Sequence, residues 1–156
     1  MNEAPMTLEQ MASRMVDITP HASALGMRLV SAKPGEGVMA VPYRSDLVGD
    51  PETGVLAGGV VTSLLDHVCG YAASSSLVGS PGGAAEYGIA TLDLRIDYMR
   101  PAEPGREVFA RAHCYHLTRS IAFIRAIAYE DSEANPIASA QGAFAVTRRG
   151  PVEPAR

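Results

Sequence analysis

The stretch from Gly59 to about Leu77 is apolar on almost every side of a helix. Val60, Leu64, Val68 and Ala72 fall at four-residue steps, with Val61, Leu65 and Tyr71 beside them. An apolar surface that broad does not suit a helix lying on the outside of a domain. It needs protein around most of its circumference, and only a narrow stripe, Ser63, Asp66, His67, Gly70 and Ser74, is polar. The wrapping has to come from the rest of a 156-residue chain, which is the length of one domain.

Past this helix and the loop Val78–Glu86, the period changes to two. Ala90, Leu92, Leu94, Ile96 and Tyr98 alternate with Thr91, Asp93, Arg95, Asp97 and Met99 until Pro101 ends the run. Three more strands are predicted at Glu107–Leu117, Ser120–Tyr129 and Ile137–Val146, separated by the turn at Thr118-Arg119 and by the segment Asp131 to Pro136. Connections that short join antiparallel neighbours. Ahead of the helix, Arg28–Ala32 and Gly37–Tyr43 read as a hairpin around Pro34-Gly35, while Ser45–Leu56 has no period and reads as loop. Thr7–Val16 is an amphipathic helix with Thr7 as N-cap and Gln10 completing a capping box. Ile18–Met27, broken by Pro20 and Gly26, is a connector with a turn of helix. The expected class is α+β, one long helix packed on one face of a mostly antiparallel sheet. Residues 1–24 form an N-terminal helix and connector, 25–147 the domain, and 148–156 a disordered tail. A curved sheet covers one helix only in part, so a homodimer that closes the remaining surface is expected.

Thirteen Lys and Arg against 17 Asp and Glu leave a net charge of −4, which argues against a nucleic-acid partner. A small anionic ligand held by local arginines stays compatible with that balance. No segment resembles a signal peptide and none is apolar for eighteen residues, so no membrane span is expected and the default location is the cytoplasm. Cys69 and Cys114 lie outside any metal-ligand spacing and read as free thiols, with no metal site. His113 and His116 are separated by an odd step within one strand, which puts them on opposite faces and keeps them from sharing a metal.

Asp66 stands in an otherwise apolar helix, where a carboxylate is costly to bury unless it is hydrogen-bonded or functional. Membership of a solvated stripe explains it about equally well. Gly58 and Gly59 open the helix with no Ser, Thr, Asn or Asp before them. Glycines there let a ligand approach backbone N–H groups that have no intrahelical partner, at the positive end of the helix dipole. A developing oxyanion or a phosphate suits such a place, and so does a plain turn.

The run Leu56-Ala57-Gly58-Gly59, continued to Leu65-Asp66, resembles the L-H-G-G-x5-L-D signature of hotdog-fold acyl-CoA thioesterases of the phenylacetate-degradation (PaaI-like) branch. Asp97-Tyr98-Met99-Arg100-Pro101-Ala102 is similar to that family's strand ending, Arg119-Ser120-Ile121-Ala122-Phe123 to its basic turn, and Ala138-Ser139-Ala140-Gln141-Gly142 to its last strand. The resemblance implies a hotdog fold, a dimer or dimer of dimers, and hydrolysis of an acyl-CoA without a cofactor. Asp66 would be nucleophile or general base, the Gly58 N–H would polarise the thioester carbonyl with Gly59 beside it, and Thr91 would help hold the water, its outward phase permitting this. Arg100, Arg119 and Ser120 would lie near the phosphates or pantetheine of coenzyme A, with Asp66 and Thr91 supplied by different chains. Two departures stand out. Ala57 occupies the motif's histidine position, and Pro51, next to Asp50, matches the loop asparagine. A binding module without turnover is the alternative, and a hydratase ranks last for want of its His and acid motif.

Overall fold

The computed structural model describes residues 7–80 and 84–149, so the terminal segments 1–6 and 150–156, most of the expected tail, and Pro81, Gly82 and Gly83 lie outside it. Thr7 caps α1 (Leu8–Asp17) through the capping box with Gln10. Pro20 starts the short α2 (Pro20–Ala24). A hairpin, β1 (Arg28–Lys33) and β2 (Glu36–Val41), follows. The segment read as loop holds a 3-10 turn at Ser45–Leu47 and a small two-stranded ribbon, β3 (Val48–Asp50) and β4 (Val55–Leu56). It leads into α3 (Gly58–Ser75), then β5 (Tyr87–Tyr98), β6 (Val108–Leu117), β7 (Ile121–Tyr129) and β8 (Ala138–Arg148). The main sheet runs β1-β2-β6-β7-β8-β5 with every pairing antiparallel. This is the expected α+β hotdog layout.

The broad apolar surface of α3 is buried as its sequence requires: Val60, Leu64, Leu65, Val68, Tyr71 and Ala72 are in the core, and the polar stripe stays partly exposed. The sheet accepts the helix closely because its inner face is small. Ala110, Ala112, Ala122, Ala126, Ala128 and Ala138 line it, and Gly37 leaves room for the Tyr71 ring, which a Cβ at 37 would meet at 2.4 Å. The twelve-residue β5 forms one margin of the sheet; its Leu92 and Tyr98, and Met99 just past its end, are each half or more exposed.

Two bulges break the straight alternation on which the strand readings rest. In β6, Cys114 pairs with Ile124 and His116 with Phe123, leaving Tyr115 over. His113, opposite Arg125, and His116 therefore share one face of the sheet, contrary to the odd-step expectation, because the extra residue reverses the parity. The His116 ring lies 5.9 Å from that of Phe123, tilted against it, and among the described residues no cluster of three His, Cys, Asp or Glu is placed to hold a metal.

Candidate active site

Nothing caps α3 by side chain. Ala57 holds the N-cap position at φ −59, ψ 136, so the first N–H groups of the helix have no acceptor within it. A Cβ on Gly59 would meet nothing within 4 Å, so the space beside its Cα is open. On one flank the Tyr98 hydroxyl donates to the Gly58 carbonyl at 2.8 Å and lies 2.7 Å from Thr62 Oγ1. A mainly apolar cavity of about 330 Å³ adjoins this helix start, bounded by Leu56, Gly58, Val61, Tyr98, Met99 and Ile137. Asp50, beside the missing asparagine, is taken up locally: its carboxylate accepts from the Glu52 N–H and the Thr53 hydroxyl, and these bonds hold it below the usual carboxylate range.

Two turns into the helix, Asp66 Oδ1 accepts a hydrogen bond from Thr91 Oγ1 at 2.8 Å. The second bulge makes this contact. Thr91 pairs with Phe144 and Asp93 with Ala143, so Leu92 is the extra residue and is thrown outward, 59% exposed. Beyond the bulge Leu94 and Ile96 face the core; before it, Ile89 and Thr91 do. Thr91 thus points in at the helix, not outward as straight alternation implies. Gly142 lies against the bulge, where a Cβ would sit 2.7 Å from the Asp93 carbonyl oxygen, and the Asp93 carboxylate accepts from the Ala143 N–H at 3.1 Å. Asp93 is therefore a bulge support, while Arg95 and Asp97 form an exposed ion pair.

Asp66 and Thr91 belong to one chain, which corrects the implied division between two. The pair that is separated is Gly58 and Asp66. Eight residues of one helix put them about 12 Å apart along its axis, too far for a single small carbonyl group to engage both.

Asp66 opens onto a cavity of about 440 Å³ bounded also by Thr19, His21, Met27, Ser63, His67 and Leu94. Here sequence reasoning missed a contact: His21 Nε2 lies 3.1 Å from Ser63 Oγ, which itself donates to the Gly59 carbonyl at 2.8 Å. Nothing local to His21 marks it, because α2 carries it to a helix 42 residues further along. Burial pushes the His67 imidazole below its ordinary value, and the neighbouring Asp66 carboxylate only partly offsets this.

The two arginines expected near coenzyme A have different surroundings. Arg100 is committed within the chain: its guanidinium donates to the buried Glu130 carboxylate at 2.6 Å and to the Asn135 carbonyl at 2.9 Å. Glu130 also accepts from the Glu103 N–H. Arg100 is thus a structural cation, not one left over for a phosphate. Arg119, in the exposed β6–β7 turn with Ser120, makes no ion pair among the described residues. That turn is held by the Thr118 side chain, which accepts from the Ile121 N–H, and by the Ser120 carbonyl, which accepts from Val146.

A model of the thioesterase superfamily matches residues 53–136, more than half of the chain and including α3 and Asp66. The chain belongs to the thioesterase superfamily. Other proteins are similar to it over most of its length. Human acyl-coenzyme A thioesterase 13 is 26% identical over 124 residues, covering 79% of this chain and 82% of its own. A Pseudomonas aeruginosa protein of known structure is 36% identical, with a TM-score of 0.76 over 89% of this chain and 98% of that one. The phenylacetic acid degradation protein PaaI from Thermus thermophilus, 28% identical, superposes with a TM-score of 0.67 over 81% of this chain and 97% of its own. Within the superfamily-matched segment fall Gly58, Asp66, Thr91, Arg100 and Arg119; His21 lies outside it. No helix among the described residues is long and apolar enough to cross a membrane.

Proposed function

We propose that this chain hydrolyses the thioester of an acyl-coenzyme A, with Asp66 as the carboxylate that either attacks the thioester carbon or takes a proton from the attacking water. One observation carries the reading: the Asp66 carboxylate is held by Thr91 Oγ1 at the mouth of a cavity of ligand size. In the general-base form, water adds to the carbonyl carbon as its proton passes to Asp66, the C–S bond breaks, and the sulfur leaves with one proton while Asp66 gives up its own. The likeness to acyl-coenzyme A thioesterase 13 supports coenzyme A as the carrier. Carboxylate, water and backbone dipoles suffice for this chemistry, so no cofactor is invoked.

The carbonyl oxygen needs a donor that Asp66's own helix start is too distant to give. A second copy supplies it in this reading: two chains meet along β5, whose long margin, exposed Leu92 and adjoining Met99 suit pairing, and each brings its Gly58 N–H to the other's Asp66. Light scattering should then show at least twice the 16.4 kDa chain mass; a stable monomer that still turns over rejects the shared site. Arg119 is the cation for the coenzyme A phosphates, with Ser120 beside it.

Ala57 and Pro51 in place of the motif's histidine and asparagine favour a second reading, a module that binds acyl-CoA without turnover. Thiol release from a panel of acyl-CoAs, measured beside calorimetric binding, separates the two. Release with any member supports the hydrolase; binding throughout without release leaves the module.

A further inference from the structure

We propose that His21 is a catalytic residue of this site, the proton donor to the departing sulfur; this rests on reading the cleft as a thioester-hydrolysing site. One contact anchors the ring. His21 Nε2 lies 3.1 Å from Ser63 Oγ, whose hydroxyl is also 2.8 Å from the Gly59 carbonyl oxygen. Ser63 thus engages Nε2 and leaves Nδ1 for proton transfer.

Placement then assigns the role. Ser63 and Asp66 are three residues apart on α3 and share a face, with Cβ atoms roughly 5–6 Å apart. His21 and Asp66 border the same cavity, at different depths: Asp66 is partly buried and His21 is exposed at the rim. The coenzyme A arm has to leave the cleft toward solvent, so the sulfur departs on the His21 side while the carbonyl carbon stays by Asp66. The other groups facing this space do not fill the role. Thr19, Thr62 and Ser63 are hydroxyls, poor proton donors to a thiolate. The His67 imidazole is held toward its neutral form by burial. With Ala57 at the helix start, no imidazole comes from there.

The step balances. As water adds, Asp66 takes one proton and the carbonyl becomes an oxyanion. The oxyanion collapses, the C–S bond breaks, and the Nδ1–H of the His21 imidazolium goes to the sulfur. Asp66 then returns its proton to the neutral ring through water. Thioester and water become acid and thiol, with no other reactant.

The test compares two thioesters of one acyl group, the coenzyme A thioester and that of p-nitrothiophenol, whose thiolate leaves without needing a proton. His21→Gln should lower kcat on the first by about 10²-fold and on the second by less than about threefold. Asp66→Asn should lower both. His21→Asn, with circular dichroism on each variant, gives an independent reading should the glutamine variant fold poorly. Equal losses on both thioesters, or none on either, while Asp66→Asn still lowers both, would overturn the role of His21 alone. Unchanged turnover in Asp66→Asn, or no turnover in the parent protein, sinks the hydrolase reading itself.

Discussion

Replacing Asp66 by asparagine separates charge from shape at the centre of the site. The amide oxygen of the replacement still accepts the hydrogen bond that Thr91 Oγ1 now gives Oδ1 at 2.8 Å, so the side chain should stay where it is. What disappears is the negative charge, and with it the capacity to attack a carbon or accept a proton from water. Assistance of this kind is worth about 10²–10⁴ in rate, which corresponds to about 2.7–5.4 kcal/mol of barrier. kcat should fall by that factor while binding of an acyl-CoA holds or improves slightly. Asp66 is partly exposed, so stability should change by no more than about 1 kcal/mol, or about 2–4 °C in Tm for a chain of this size. The assay is continuous detection of free thiol from one accepted acyl-CoA, with calorimetric binding and a thermal melt by circular dichroism on the same preparation. Turnover within about threefold of the parent, far less than a base or nucleophile contributes, would show that Asp66 is a structural member of the helix's polar stripe and refute the mechanism.

Arg119→Ala should raise KM for acyl-CoA by roughly tenfold and leave kcat nearly unchanged, because phosphate contacts hold ground state and transition state alike; an equal loss with a thioester lacking the nucleotide would place the residue elsewhere. Arg100→Ala should act on stability instead: it strands Glu130, whose side chain is 3% exposed, at a cost of about 2–4 kcal/mol, the partial exposure of Arg100 keeping it below the full penalty of a buried pair. A melt shows this as a Tm drop, whereas an unchanged melt with raised KM would return Arg100 to the ligand. Gly142→Val pushes a Cβ against the Asp93 carbonyl and should cost about 1–3 kcal/mol while also lowering kcat as Thr91 moves off Asp66; a variant with parental melt and turnover would show that the bulge does not position Thr91.

The elements that sequence reading places well are those whose information is local. The apolar surface of α3, the Thr7–Gln10 capping box and the turn at Pro34-Gly35 each lie within one stretch of chain, and the structure has all three. The bulges in β5 and β6 do not show in a period of two, because one extra residue leaves the composition of a strand intact while reversing which side chains face the helix. That is why Thr91 and the pair His113 and His116 come out on unexpected faces. A clue to the first was present in another strand, since Gly142 interrupts β8 where it passes the bulge. The Asp66–Thr91 pair was legible as two residues and not as one chain's contact. Arg100 and Arg119 look alike as cations in sequence, and only the buried Glu130, 30 residues from Arg100, distinguishes them. The His21–Ser63 contact depends on where α2 settles, which no neighbouring residue encodes.

Most arginines of the described chain lie against carboxylates. Arg28 meets Glu107, Arg111 sits between Glu36 and Glu133, Arg106 between Glu103 and Asp131, and Arg148 meets Glu86. Each such pair closes into a local dipole whose field fades quickly, so at a distance an approaching molecule senses chiefly the net −4. A polyanion such as a nucleotide then meets mild repulsion only once it comes within about 8–10 Å, the screening length at ordinary ionic strength. Capture is unsteered, and added salt should speed the encounter slightly while loosening the final grip, the reverse of what a basic funnel does. Selection among the many polyanions of a crowded solution would be made by dwell time at one exposed turn.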